Sequence, residues 1–326
     1  MFAKDRTGCR QRILRPARGD ASDQVARLAQ DKSRVLTLGT VGRSVAGMKQ
    51  KSSVTTVVVS RNRRDELLDT LPRHHRPVIL IDNASTDGTA TAVSKSVPDV
   101  HVVRRSKNLG APGRNVGVRL AETPYIAFAD DDSWWEPDSI EAAVTMLDTH
   151  PRIGLLAARI LLHADEREDP LCRVMASSPL PAPPNLPGTP VLGFAACAAV
   201  VRRTAFLSAG GFDSVVFFGG EETRLAIDLA AGGWQLCYDP RLVVHHYPSA
   251  RREGELTRST LLARNELLTA VMRRPWPVVL RTTGRFARSA TGRRGLLQAI
   301  PRFPSAMSNR RRIPANLETR LRMLDA

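Results

Sequence analysis

Four short apolar runs rich in β-branched residues recur along the first half of the chain: Val54–Ser60, Val78–Ile81, His101–Val103 and Tyr125–Ala129. Each is followed by a stretch with helical spacing or turn residues. Strands that alternate with helices pair in parallel and need cover on both faces, so the pattern predicts an α/β fold around a doubly wound, mainly parallel central sheet. In open sheets of this kind ligands bind beyond the carboxyl ends of the strands. The polar residues fall there: Asp82 follows the second run, Arg104 and Arg105 the third, and Asp130, Asp131 and Asp132 the fourth.

The second half keeps the pattern less regularly. Pro137 to Asp148 reads as a helix and Gly154–Leu162 as another strand, while Ser177–Pro190 is a proline-rich loop of the kind that forms a lid or a linker. Gly193–Val201 is expected to rejoin the sheet, Glu221–Ala231 to form a helix stopped by Gly232 and Gly233, and Trp234–Tyr238 and Leu242–Val244 to be two short strands. A helix from Leu256 to Met272 follows, and beyond Pro275 the sequence is arginine-rich and weakly periodic. Residues 1–51 show no sustained period and are expected to be disordered, with Met48 a candidate start. The chain thus divides into a disordered extension (1–51), an α/β domain (52–250) and a basic helical C-terminal extension (251–326).

The 326 residues carry 48 Lys and Arg against 32 Asp and Glu, a formal net charge of +16. That surplus is confined to the ends. Residues 1–50 hold 11 basic and 4 acidic residues, residues 51–250 hold 20 and 23, and residues 251–326 hold 17 and 5. A nucleic-acid groove needs its positive charge on the folded binding surface, so no nucleic-acid partner is expected. In the C-terminal segment, pairs such as Val278-Val279 and Leu296-Leu297 lie among arginines, which suits attachment to an anionic membrane surface; a solvated tail is the other reading. Arg251, Arg252, Arg258 and Arg264 are candidates for the acceptor side of a site. The longest apolar stretch, Val191–Val201, is short of the roughly 20 residues that span a bilayer, and residues 1–31 lack the apolar core of a secretion signal. Cys9, Cys172, Cys197 and Cys237 have no metal-ligand or disulfide spacing and read as buried thiols in a reducing compartment. A cytoplasmic protein is expected, peripheral on the inner face of the cytoplasmic membrane if the C-terminal segment attaches.

Several junctions carry chemistry. Three adjacent carboxylates at Asp130–Asp132 repel one another, a cost that Mg²⁺ or Mn²⁺ shared with substrate phosphates would offset; a solvated acidic turn ahead of Pro137 would show the same triplet. In Asp82–Thr89, Ser85 and Asp87 suit helix capping, whereas Asp82 at the strand terminus suits a hydrogen bond to a nucleobase or ribose. Arg104–Gly117 combines glycines that allow close backbone approach with cations suited to a diphosphate, although a plain surface loop reads alike. Glu221 and Glu222 open a helix, where they either complement its dipole or supply a base. His245 and His246 are candidates to complete a metal shell, or else satisfied core histidines. Trp134-Trp135 and Phe217-Phe218 flank the acidic clusters as core residues or as platforms for a sugar face.

In order and spacing these pieces resemble a family 2 glycosyltransferase of the GT-A type over about residues 53–250. The matching pieces are Val57–Asn62, the Asp82–Thr89 turn, Asn108-Leu109-Gly110 with Arg114-Asn115-Val116-Gly117, Asp130–Asp132, Gly210-Gly211-Phe212-Asp213, and Gly220-Glu221-Glu222 ending at Gly233-Trp234. The resemblance implies inverting transfer from a UDP- or dTDP-type sugar donor to an acceptor hydroxyl on a saccharide or lipid-linked acceptor, in cell-envelope glycan, polysaccharide or glycolipid synthesis. It implies that Asp82 meets the base, that Asn62, Asn108 and Trp135 line the donor site, and that Arg114 lies near the diphosphate. Asp130 and Asp132 would form the Asp-x-Asp pair, with Asp132 the foremost ligand of Mn²⁺ or Mg²⁺ and Asp131 a ribose or sugar contact. The family's base is usually the second acid of a Glu-Asp pair; Glu222 stands there with one more methylene, and Glu221 is its rival. One of His245 and His246 would serve the metal or the diphosphate.

Two other readings remain at this level. A nucleotidyltransferase would show a glycine-rich, basic grip in the first strand and turn, which Val57–Asn62 lacks. A non-catalytic nucleotide-sugar-binding or scaffold protein with a decayed transferase domain is argued against by the intact Asp130, Asp132 and Glu222.

Overall fold

The computed structural model describes residues 52–163, 165–249 and 254–325. The expectations for residues 1–51, with Met48 and Cys9 among them, and for Arg251 and Arg252 lie outside the described residues. Residues from Lys51 to Ala326 make one compact unit. Its strands are β1 (Val54–Ser60), β2 (Val78–Asp82), β3 (Val100–Arg104), β4 (Tyr125–Ala129), β5 (Ser133–Trp135), β6 (Ile153–Leu162), β7 (Arg167–Glu168), β8 (Thr189–Pro190), β9 (Ala199–Arg202) and β10 (Gln235–His246). The helices of the α/β part are α1 (Arg64–Thr70), α2 (Thr89–Ser96), α3 (Gly113–Leu120), α4 (Pro137–Thr149), α5 (Pro170–Ala176), α6 (Arg203–Ser208) and α7 (Glu221–Ala231); α8 (Glu255–Arg273), α9 (Trp276–Ala287), α10 (Ala290–Ala299), α11 (Phe303–Ser308) and α12 (Ala315–Leu324) complete the chain.

The strand order is β3-β2-β1-β4-β9-β6-β10-β5. The first four strands are parallel, β6 and β10 form a second parallel pair, and β9 runs antiparallel between β4 and β6. The sheet is therefore mixed, with its longest ladders parallel. Alternation along β1 shows why it is wound on both sides: Val57 packs into one core with Val118 of α3, and its neighbour Val58 into another with Leu67 of α1 and Val93 of α2. Burying each such side chain contributes about 1.5–3 kcal/mol, which fixes the register, since a one-residue slip would exchange the two faces.

The first four strands form where the sequence predicts them. Two later expectations change. Of Gly193–Val201 only Ala199–Arg202 is a strand, and Ala196–Ala198 is a 3-10 turn; the glycine and alanine run lacks the β-branched side chains that Val200 and Val201 supply. The two strands expected at Trp234–Tyr238 and Leu242–Val244 are one long strand, β10, which begins at Gln235 and whose register with β6 shifts between Asp239 and Val243, around Pro240, which has no N–H to give.

Beyond Pro275 the weak periodicity conceals four helices. Pro275 and Pro277 sit at the start of α9, and the Ser289 side chain caps α10 by accepting from Gly292 N. Leu268, Val271 and Met272 of α8 share a core with Val279, Ala299 and Ala306, and with Val215 and Val216 of the loop before α7. Among the described residues no helix is long and apolar enough to cross a membrane.

Candidate active site

Ser60, Asp82 and Arg104 stand side by side as the last residues of β1, β2 and β3, and Asp130 follows β4, so these residues collect along one edge. Asp82 is fully buried; its Oδ1 accepts from Ser85 N at 2.9 Å, and its Oδ2 has no hydrogen-bond partner and lies 4.0 Å from Arg104 Nε. The asparagines predicted beside it are committed to the loops. Asn62 holds a left-handed backbone (φ 56°), accepts at Oδ1 from Thr86 N at 2.8 Å and gives its own N–H to Ser85 Oγ. Asn108 accepts from Gly110 N, closing its own turn, and Asn83 ties that turn to the β2 end through Leu109 N and Gly110 O. Asn62 and Asn108 thus shape the wall of the site.

At the end of β4 the three aspartates part company. Asp130 pairs with Arg114 of α3, a residue only 3% exposed. Asp131 lies opposite Ser60 and accepts from its hydroxyl at 2.7 Å; burial pushes its carboxyl up to about 7, with the charges of Asp132 and Asp130 adding to the shift. Asp132 places Oδ1 3.2 Å from His246 Nε2 and accepts at Oδ2 from Ser249 N at 3.1 Å.

The two histidines alternate along β10. His246 reaches Asp132, whereas His245 turns to the other face, where its Nε2 meets Glu136 Oε1 at 2.5 Å and its ring stacks on Trp134 with centroids 5.3 Å apart. The expectation that His245 serves the metal is corrected on that geometry. Trp135 is corrected by its burial: it is 2% exposed and gives its indole N–H to Phe128 O, so it is core and not a donor contact. Trp134 is the half-exposed ring of the pair, lying under the Arg73 guanidinium at 4.4 Å.

Among the described residues no three or more His, Cys, Asp or Glu side chains converge closely enough to hold a metal by themselves. Asp132 and His246 form a two-residue oxygen and imidazole donor set. It fits a divalent ion that takes its remaining ligands from a diphosphate and water, the usual habit of Mg²⁺ in phosphate sites. Asp130 is held by Arg114 instead.

Glu221 and Glu222 open α7 after two left-handed glycines, Gly219 and Gly220 (φ 86° and 83°). Glu221 is buried with Oε2 unpartnered, and burial pushes it up to about 8, helped by the charge of Glu222 and opposed by Arg114. Glu222 is half-buried and faces Ala196 N, 3.4 Å from its Oε1; burial raises it, while backbone N–H groups and the Arg114 charge resist. Arg114 is itself raised: burial works against its charge, but Asp130, Glu221 and Glu222 together outweigh it. One guanidinium therefore links the strand-end aspartates to the helix-start glutamates electrostatically, with its Nε and Nη1 lacking hydrogen-bond partners.

The loop that presents these glutamates is held from outside, carbonyl by carbonyl. Arg302 Nη1 donates to Val215 O at 2.8 Å, Arg264 Nη2 to Val216 O at 3.3 Å and Ala111 N to Phe217 O at 2.8 Å; Asn265 Nδ2 donates to both Phe218 O and Gly219 O at 2.7 and 2.6 Å. Arg264, a candidate for an acceptor contact, is buried in this role, and its Nε orients Asn265 at 2.8 Å. Asn265 was not singled out by the sequence; the one signal is an amide amid the leucines of α8.

Residues 55–208 match the model of Glycosyl transferase family 2. The chain resembles that family over this segment. Among similar proteins, the N-acetylglucosaminyl-diphospho-decaprenol L-rhamnosyltransferase of Mycobacterium tuberculosis is 29% identical over 52% of this chain and 66% of the relative, and the pre-mycofactocin glycosyltransferase of the same organism is 28% identical over 67% of this chain and 48% of the relative. The chain thus spans half to two thirds of the length of these relatives. Among solved structures, the Pyrobaculum calidifontis mannosyltransferase PcManGT, in complex with GDP-Man and Mn²⁺, superposes with a TM-score of 0.51 at 18% identity over 84% of this chain and 86% of that one. TarS residues 1–349 from S. aureus gives 0.52 at 17% over 82% and 83%. At such identities the likeness shows the GT-A fold.

Proposed function

We propose that this protein is a family 2, metal-dependent inverting glycosyltransferase, moving a sugar from a UDP- or dTDP-type donor to a hydroxyl of a saccharide or lipid-linked acceptor in cell-envelope synthesis, at the inner face of the cytoplasmic membrane. The observation that carries the reading is one buried guanidinium shared by two acidic groups: Arg114 pairs with Asp130 and lies within electrostatic reach of Glu221 and Glu222. Asp132 and His246 would hold Mn²⁺ or Mg²⁺, which when bound neutralises charge on the departing nucleoside diphosphate.

The chain's own residues do the rest. Asp82 offers the base or ribose a carboxylate oxygen that has no hydrogen-bond partner and lies 4.0 Å from Arg104 Nε. Asp131, shifted towards neutrality and bonded to Ser60, adds little repulsion to an incoming diphosphate and is suited to a ribose or sugar hydroxyl. Glu222 is the more accessible of the two glutamates, and backbone N–H groups and the Arg114 charge favour its carboxylate against burial. Glu222 takes the proton of the acceptor hydroxyl as its oxygen bonds to the anomeric carbon and the bond from that carbon to the diphosphate breaks, inverting configuration.

Purified protein should hydrolyse or transfer from one member of a panel of sugar nucleotides with Mn²⁺ and not with chelator, read by mass spectrometry. Asp132→Ala and Glu222→Gln should each lower turnover by at least about 100-fold with an unchanged fold. Donor binding without any turnover would favour the scaffold reading, and absence of both binding and turnover across the panel would sink the assignment.

A further inference from the structure

We infer that the outer face of α9–α11 is a docking surface for an anionic lipid bilayer. It gives the membrane location proposed above a defined surface, and its test does not depend on transfer activity.

α9 buries Val278, Val279 and Thr282 on its inner side. A helix that merely covers a core would be polar on the opposite arc. Here Trp276, Leu280, Gly284 and Ala287 recur there at intervals of three or four residues, all exposed, with Leu280 at 69%. Arg281, Arg285 and Arg288 run alongside as the next row. An exposed apolar row edged by cations is the pattern of a helix lying in a membrane interface.

The pattern continues into the next elements. Leu297 is 65% exposed and stands one turn after Arg293 and Arg294 on α10; Ile300, 62% exposed, follows one turn later, and Phe303 begins α11 exposed. These helices pack together against α8, so they form one body and not a series of independent segments.

Charge decides the occupant. No acidic residue occurs between Glu266 and Glu318. Arg285 is paired with Glu266, but Arg281, Arg288, Arg293 and Arg294 form no ion pair among the described residues. Bare aliphatic side chains between these cations gain by entering the boundary between headgroups and acyl chains, whereas a nucleic-acid groove offers them nothing. Anionic headgroups supply the missing countercharge. Since no described helix can span a bilayer, the contact is peripheral.

The full chain should sediment with vesicles of phosphatidylglycerol and phosphatidylcholine at low salt and stay in solution with phosphatidylcholine alone. The double variant Leu280→Asp/Leu297→Asp should lower the bound fraction at least about tenfold. Both side chains are exposed, so its melting temperature should match the wild type. Arg281→Gln/Arg288→Gln, which leaves the apolar row intact, should bind more weakly and lose binding at lower salt. Asp132→Ala, inactive on the proposed reading, should bind as the wild type does, which separates this inference from the catalytic one. Wild-type protein that ignores anionic vesicles, or apolar-row and arginine variants that both bind like the wild type, would overturn it. So would a dimer in size-exclusion chromatography that the double variant dissociates without any change in vesicle binding, which would assign the face to a second copy of the chain.

Discussion

Glu221 and Glu222 are adjacent in sequence, yet the first turn of α7 gives them different surroundings. Glu221 is buried, and its ionisation is pushed up to about 8. The native state therefore keeps a proton that the unfolded chain has released above its ordinary value of about 4.5, so stability associated with Glu221 falls as pH rises from about 5 through 8. Glu221→Gln removes that proton linkage, and its melting temperature should decline less over the same interval than that of the wild type; equal declines would show that Glu221 does not hold the proton. At the same scale, His246→Ala should raise the Mn²⁺ concentration for half-maximal turnover by at least about tenfold, the usual effect of losing a ligand or its immediate partner, whereas His245→Ala should leave metal dependence unchanged. Metal titrations of the two purified variants check this. The residue types at the strand ends and at the start of α7 were readable because carboxylates directly after a buried strand have few structural uses. Which of two neighbours faces the site was not, because His245 and His246, like Trp134 and Trp135, sit on strands whose faces alternate, and the register that decides between them comes from β6 and β5 pairing with β10.

Between elements, α8 governs the approach to α7. Asn265 is 1% exposed and supplies both amide hydrogens to the carbonyls of Phe218 and Gly219, one turn of backbone before Glu221. Asn265→Ala leaves those acceptors without partners and should cost roughly 1–3 kcal/mol of stability. It should also lower kcat more than it changes donor KM, because the glutamates move while the Asp82 and Asp132 ends of the site do not. Asn265→Asp keeps the size and the Arg264 contact but loses the donors, so it should resemble Ala; thermal melts and steady-state kinetics of both variants test this. The parallel strands were readable from β-branched runs, and the helices after Pro275 were not, for a physical reason. α10 meets α8 through small residues: a Cβ on Gly295 would stand 2.8 Å from Ala263 Cβ and 2.9 Å from Arg264 N, and Ala299 and Ala306 fill neighbouring core positions. Close helix contact built on glycine and alanine leaves almost no apolar periodicity to read.

At the level of the whole molecule, the C-terminal helices belong to the same compact unit as the candidate site. Arg302 bonds Val215 O, Arg273 pairs with Asp228 of α7 at 2.6 Å, and Arg274 binds Glu318 of α12 at 3.0 Å and Asp325 at 2.8 Å. Cutting the chain after Arg274 would remove Val279, Ala299 and Ala306 from the second core and expose Leu268, Val271 and Met272. It would also strip Arg274 of both acids and uncover its buried guanidinium, and it would free Val215 O at the root of the glutamate loop. Exposing several large apolar side chains at about 1.5–3 kcal/mol each amounts to several kcal/mol. For a domain of this size that lowers the melting temperature by roughly 10 °C or more. The shortened chain should accordingly melt early and aggregate, and any soluble fraction should have lost transfer while still binding nucleotide at the Asp82 end, where no contact to residues after Arg274 is made among the described residues. Differential scanning calorimetry with a nucleotide-binding assay checks both halves. A truncated chain with the wild-type melting temperature would mean that α9–α12 serve only the surface on which they lie.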